Sequence, residues 1–136
     1  MKKIFVLLNL PRTGIIYFFI LHCKNKRDIL EDLDRFAYDN KKHANRYLTF
    51  SEVILFDKCF RNVLDFRLKK SCILYSISLR FLFPLKKDME IGRCEIKGGL
   101  VCYHGHGTVI NAEKIGKNLS IWQGVTIGKN INSEQL

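Results

Sequence analysis

The sequence contains few of the residues that would break or cross-link a chain. Among 136 residues there are only two prolines, and only one of the nine glycines precedes Pro84. The five cysteines include no CxxC pair and are odd in number, so nothing indicates the disulfide framework of a secreted protein. We therefore expect reduced cysteines that pack as small hydrophobic residues in a cytoplasmic protein.

No uninterrupted hydrophobic run is long enough to span a membrane. Residues 4–8 and 15–21 are strongly apolar, but Pro11 and Arg12 separate them, and neither run reaches the roughly 20 residues of a spanning helix. The start resembles that of a signal peptide, yet no small-residue cleavage site follows it. We expect buried helices or peripheral contact, with attachment to a membrane surface as an alternative that is not favoured.

Acidic residues are scarce in the first part of the chain. Residues 1–88 hold 18 Lys and Arg against 9 Asp and Glu, whereas residues 89–136 hold 5 against 4. Such a basic excess can attract nucleic acid, anionic lipid or phosphorylated ligands. No zinc-ligand pattern, aromatic RNA-binding motif or recognition-helix signature accompanies it, so a nucleic-acid role is not predicted.

Helical periodicity dominates the sequence before Pro84. From Lys26 to Asn40 the apolar residues fall on one face and the charged residues, Asp32 among them, on the other. Thr49, followed three residues later by Glu52, predicts the capped start of a second helix. Residues 60–66 continue an apolar face, and residues 72–83 predict a helix that stops before Pro84. His22 and His43 are isolated and are expected to be structural or surface residues.

Beyond Pro84 the apolar residues recur every six positions. Ile115, Ile121 and Ile127 stand six apart, and glycine follows two of them. Neither the helical period of 3.6 nor the strand period of 2 gives a clean six. A short strand followed by a tight corner does, because the inward side chain then recurs once per side of a prism. Counting back from Ile115 reaches Val109 rather than Ile110, which predicts a step shortened by one residue between Asn111 and Lys114.

This change of pattern predicts an α+β chain with two domains. Residues 1–87 form a helical N-terminal domain, and residues 88–136 form a short hexapeptide-repeat domain. The stretch GGLVCYHGHGTVINAEKIGKNLSIWQGVTIGKN in the second domain resembles the hexapeptide-repeat acyltransferases, and more narrowly the serine acetyltransferase family. FRNVLDFRL, at residues 60–68, is similar to that family's last helical region before the coils. The resemblance implies a left-handed parallel β-helix after the helices.

The resemblance also implies transfer of an acetyl group from acetyl-CoA to a hydroxyl, for which a base must accept the hydroxyl proton. Histidine suits this role because its unperturbed pKa is about 6.5. By the family's His-x-x-Gly phrase, His104 is the expected catalytic base. His106 has the same parity, so on an extended backbone it would face the same side and is the alternative base or a substrate contact. No metal site is predicted, since the two histidines with Cys102 make only a partial ligand set.

Several positions depart from the family pattern. Tyr103 stands where an aspartate commonly precedes the catalytic histidine, and a second acidic position falls on Met89, between Asp88 and Glu90. One of these two carboxylates is therefore expected to orient the histidine. The residues that match the segment leading into the acetyl-CoA groove are Gln123, Gly124, Thr126, Gly128 and Lys129.

The family continues through further coils beyond the point where this sequence stops, so we expect a truncated or divergent member or the first portion of a longer reading frame. The expected function is acetylation of L-serine in cysteine biosynthesis, with truncation as a possible cause of inactivity. Two alternatives stay open: acetylation of a sugar hydroxyl in surface polysaccharide assembly, and a non-catalytic scaffold. By resemblance the expected assembly is a homotrimer.

Overall fold

The structure, a computed structural model, describes residues 1–38 and 44–129. This part of the chain is α+β, with six helices followed by seven short strands. The helices are α1 (Lys2–Leu8), α2 (Leu10–His22), α3 (Lys26–Phe36), α4 (Arg46–Phe56), α5 (Lys58–Ser71) and α6 (Ile73–Leu82). The strands are β1 (Met89–Ile91), β2 (Glu95–Ile96), β3 (Val101–Cys102), β4 (Thr108–Ile110), β5 (Lys114–Ile115), β6 (Ser120–Ile121) and β7 (Thr126–Ile127).

The two apolar runs at the N-terminus form α1 and α2, which meet at an angle of 64° at Asn9. Pro11 lies in the first turn of α2, where its missing N–H costs no helical hydrogen bond. In the described residues no single helix is long and apolar enough to cross a membrane. By length and composition alone, α1 and α2 taken together as a bent pair reach the values of a spanning segment. The expectation of buried helices is wrong for α1, which buries none of its residues.

The predicted amphipathic helix after Lys26 is present as α3, which buries Ile29, Leu33 and Phe36. Asp32 is the exception to the predicted polar face, because its side chain is only 1% exposed. It accepts two hydrogen bonds from Arg67 of α5, at 2.8 and 3.1 Å. Burial raises the pKa of the Asp32 carboxyl, and Arg67 opposes that rise. The prediction that Asp32 lies on the polar face is therefore wrong, because Asp32 follows Ile29 by three residues and shares the buried face of α3 with Leu33 and Phe36.

The start of the next helix differs from the prediction at Thr49. α4 begins one turn earlier, at Arg46, and its cap is Asn45, whose Oδ1 accepts from the N–H groups of Tyr47 and Leu48 at 2.8 and 3.4 Å. Asparagine is a strong N-cap, and Thr49 already lies inside the helix. The FRNVLDFRL segment lies in α5, so α6 and not α5 is the last helix before the strands. His43 lies outside the described residues.

All strand pairs are parallel, and each strand pairs with the third strand along the chain. One sheet has the order β1-β4-β7, and the other two sheets are the pairs β2-β5 and β3-β6. The sheets are open at their edges in the described part of the chain. Residues six apart in the sequence, Ile115, Ile121 and Ile127, each end a strand and pair with Ile96, Cys102 and Ile110. The hexapeptide count therefore predicted the strands correctly.

The shortened step is also found. Ile110 is completely buried and pairs with both Ile91 and Ile127, whereas Val109 is only half-buried. The step from Ile110 to Ile115 is therefore five residues, as predicted for this corner.

Helices and strands share one hydrophobic core, which takes residues from α2 to α6 and from the strands. Arg67 of α5 donates to the carbonyl groups of Ile96 and Lys97, and Asp32 accepts from the Leu100 N–H at 2.7 Å. Asn62 of α5 donates to the carbonyl groups of Lys86 and Met89, at 2.9 and 3.1 Å. The side chains of α5 thus hold the segment in which the chain passes from helix to strand.

Candidate functional site

The histidine segment occupies the longest step between paired positions in the strand region. Cys102 and Ile110 are eight residues apart, whereas the other steps along this region are five or six residues. The extra length forms a turn in which His104, Gly105 and Gly107 all have positive φ, at 63°, 58° and 60°. The parity argument assumed an extended backbone, and it does not apply to this turn.

Three sulfur atoms lie beneath this turn. A Cβ atom placed on Gly105 would lie 2.8 Å from the Cys59 sulfur, 3.1 Å from the Met89 sulfur and 3.4 Å from the Cys102 sulfur. Glycine is therefore required here both for its backbone conformation and for space. Hydrogen bonding to Cys102, together with burial, raises the pKa of the Cys59 thiol. Cys59 and Cys102 form no disulfide bond, and they support the turn as packed hydrophobic residues.

The structure brings His106 and Asp88 together. The Nδ1 atom of His106 lies 2.8 Å from Oδ2 of Asp88, and this hydrogen bond is the leading cause of a lowered pKa for the Asp88 carboxyl. Lys86 completes the cluster, with its Nζ atom 3.2 Å from Asp88 Oδ1 and 3.0 and 3.3 Å from the two ring nitrogens of His106. When Nδ1–H donates to the carboxylate, the lone pair is on Nε2. We assign this tautomer from the hydrogen bond.

His104 lies apart from the cluster of His106, Asp88 and Lys86. The side chain is exposed, and it lies on the side of Asp57, the residue that caps α5 by accepting from the Phe60 N–H at 3.0 Å. Burial raises the pKa of the Asp57 carboxyl, and the charge of His104 acts in the opposite direction. In the described part of the chain, no hydrogen bond joins His104 to Asp88 or Glu90. A non-glycine residue at positive φ is uncommon and often marks a functional site.

Glu90 faces a groove of about 600 Å³ between α5, α6 and β1. Cations predominate along this groove. They are Lys69, Lys70, Arg80, Lys86 and Arg93, against the carboxylates of Asp65 and Glu90. Arg80 is already paired with Asp65 at 2.7 Å. Lys86 borders both the groove and the His106 ring, and it is the residue that links the two, because His106 itself is not among the residues that line the groove.

The five acetyl-CoA candidates lie on and around β7, and all five are exposed. One of them is tied directly to the histidine turn, because the Gly124 N–H donates to the His106 carbonyl at 2.6 Å. Thr126 pairs with Val109 across β4 and β7. Lys129 is the one cation among the five candidates and could meet a phosphate.

The sequence patterns did not identify two residues that lie in this region. Lys86 was assigned to the domain boundary, and Trp122, half-exposed, received no role although its ring stacks on Tyr103 at 5.3 Å. The signal for Trp122 was available, since it is the one tryptophan and stands in a glycine-rich segment. Nothing in the sequence signals the approach of Lys86 to His106, because twenty residues separate them.

No protein-family model, no curated protein and no solved structure matches this chain.

Proposed function

We propose that this chain is an acetyl-CoA-dependent O-acetyltransferase in which His106, positioned by Asp88, is the general base. The observation that carries the proposal is the 2.8 Å contact between His106 Nδ1 and Asp88 Oδ2 in an exposed, glycine-rich turn. A carboxylate that accepts the Nδ1 proton orients the ring and leaves the lone pair on Nε2, from which the Lys86 ammonium, 3.3 Å away, must withdraw when the acceptor hydroxyl binds. Glu90 has no such contact among the described residues.

The strand order supports the fold that this function requires. Parallel pairing of every strand with the third one along is what a chain wound in triangular coils produces, and the resemblance supplies the expectation of a left-handed β-helix. The proposed assembly is a homotrimer in which the reaction takes place between the triangular prisms of neighbouring subunits. Light scattering that finds only monomers would contradict that part of the proposal.

In the proposed reaction the acceptor hydroxyl gives its proton to Nε2 of His106 while its oxygen attacks the thioester carbonyl carbon. The tetrahedral intermediate then collapses and expels the thiolate of coenzyme A, which accepts this proton from the His106 imidazolium. Acetyl-CoA is the co-substrate, and its proposed contacts are the five exposed residues around β7. Lys86 supplies a positive charge 3.3 Å from Nε2, where it can stabilise an acceptor carboxylate or the developing oxyanion.

The favoured acceptor is L-serine, as in cysteine biosynthesis. The cation-rich groove beside Lys86 suits a molecule with a carboxylate better than a neutral sugar. The sugar hydroxyl of a surface polysaccharide is the second candidate for the same chemistry. A non-catalytic scaffold is the candidate from another class.

The test measures thiol release from acetyl-CoA with L-serine or with a sugar acceptor. We expect His106→Ala to lower a serine-dependent rate by about 100- to 10,000-fold, the usual contribution of a positioned base. His104→Ala is the matched control, with an equally exposed imidazole two residues away, and should cost less than about tenfold.

Each other outcome selects an alternative. A large loss in His104→Ala with little loss in His106→Ala would return the base to His104. A rate that depends on sugar alone would select the polysaccharide acceptor. No acceptor-dependent rate above that of His106→Ala would select the scaffold.

A further inference from the structure

The three helices α1, α2 and α6 expose a broad hydrophobic surface, which we call the apolar face. Its most exposed members include Leu8, Phe18, Leu74 and Phe81, with 76%, 57%, 66% and 88% of their surfaces accessible. Ile15 and Phe18 of α2 are three residues apart on the side of the helix away from its buried residues. Exposed apolar area on this scale marks a surface that contacts something.

In α6 the distribution of polar and apolar residues between the buried and exposed faces differs from that of an ordinary surface helix. Its two buried residues are Ser76 and Leu79, and the Ser76 hydroxyl donates to Asp65 at 2.6 Å. The positions that face outward are instead isoleucine, leucine and phenylalanine. Stacking of Tyr75 on Phe19, with ring centres 4.4 Å apart, holds α6 beside α2. The two helices therefore pack side by side, and both expose apolar side chains.

The segments that form this face carry no negative charge. Residues 1–27 and 66–87 contain no Asp or Glu, and each segment has six Lys and Arg, of which Arg67 is buried and does not contribute to the surface. Acidic groups that approach from neighbouring helices are already paired: Glu52 with Lys2 at 2.8 Å, and Asp65 with Arg80 at 2.7 Å. Lys3 has no ion-pair partner among the described residues. An apolar face with a basic border is the pattern of a helix that lies in a lipid interface.

We propose that the apolar face binds the surface of a membrane that contains anionic lipid, with α1, α2 and α6 lying in the interface. Phospholipid head groups supply the negative charge that this border lacks. A second copy of the chain does not, because a two-fold contact would place each basic border against itself. The proposal is independent of acetyl transfer.

The test is co-sedimentation of the full chain with phosphatidylcholine vesicles, with and without about 30% phosphatidylglycerol. We expect binding at least about tenfold tighter to the anionic vesicles. Phe81→Glu should weaken that binding by about tenfold or more, because it places a carboxylate in the apolar contact. Tyr38→Glu is the matched control: Tyr38 is 82% exposed, lies outside the apolar face, and should bind like the unaltered chain.

A charge variant tests the basic border separately. Lys3→Gln should weaken binding about fivefold, and Lys97→Gln, an exposed lysine in the strand region, should not. Circular dichroism checks that each variant is folded.

Three results would overturn the proposal: no binding to anionic vesicles, equal binding to both vesicle types, or a Phe81→Glu variant that binds as well as Tyr38→Glu. Self-association without lipid that Phe81→Glu abolishes would assign the apolar face to a second copy instead.

Discussion

At the scale of single residues, the contact between His106 and Asp88 has a pH dependence that can be measured without any activity. The hydrogen bond from His106, with help from Lys86, lowers the pKa of the Asp88 carboxyl. A carboxyl whose pKa is lower in the folded than in the unfolded chain stabilises the fold above the unfolded value of about 3.9. That contribution is lost as the pH falls through the lower, folded value.

Carbon-13 NMR of the Asp88 carboxyl should therefore give a titration midpoint below about 3.9, and His106→Ala should move it upward. His104→Ala should leave the midpoint where it is, since His104 lies on the Asp57 side of the turn. The same midpoint in His106→Ala as in the unaltered chain would mean that the hydrogen bond does not form in solution.

Residue types in this site could be predicted from sequence, but not their pairing. The phrase around His104 and His106 was enough to nominate both imidazoles, and the acidic position of the family that the chain resembles nominated Asp88 and Glu90. The choice between them depended on backbone conformation, and three positive φ angles in four residues redirect the side chains. Such angles are visible in a sequence only where glycine stands, and His104 is not glycine.

At the scale of the element, the turn that carries the histidines depends on two glycines that differ in surroundings. Gly105 and Gly107 both have positive φ, but a Cβ on Gly105 would meet the Cys59 sulfur at 2.8 Å and one on Gly107 would meet nothing within 4 Å. Gly107→Ala should cost about 1 kcal/mol of stability from its backbone conformation alone. Gly105→Ala should cost about 2–4 kcal/mol, because overpacking adds to that strain.

Urea unfolding of the two variants, followed by circular dichroism, measures this difference. Equal costs would show that the sulfur atoms beneath Gly105 move aside freely and that only backbone conformation matters at this turn.

Elements with a strong period were the ones that could be predicted. The six-residue spacing of apolar residues predicted β5, β6 and β7 and the shortened corner after Ile110. This spacing is informative because each strand contributes one inward side chain at the paired position. The start of α4 was predicted wrongly, since Thr49 with Glu52 and Asn45 with its following turn are both acceptable caps. Packing decided between them, and packing is not a local property of the sequence.

At the scale of the whole molecule, charge patterning was misleading at one position that joins helices to strands. Asp32 was grouped with the solvated charges of α3 because its neighbours Glu31 and Asp34 are polar. Arg67, 35 residues away, makes burial of Asp32 possible by donating two hydrogen bonds to it. The period of α3 does place Asp32 on the buried face with Ile29 and Leu33, but it does not identify Arg67 as its partner.

This pair gives the sharpest prediction for the assembly of the fold. Asp32→Ala would leave the Arg67 guanidinium, 2% exposed, without the carboxylate that accepts its hydrogen bonds and with only Asp28, at 3.9 Å, as an ion-pair partner. It would also remove the acceptor of the Leu100 N–H. We expect a loss of about 3–5 kcal/mol in the free energy of unfolding, as for other buried pairs with one member removed. Glu31→Ala is the matched control on the same helix. Glu31 binds Lys117 at 3.0 Å near the surface, where solvent screens the pair, and its removal should cost far less than the removal of Asp32. Equal losses in the two variants would mean that Asp32 is hydrated in solution and does not join α3 to α5 and the strands.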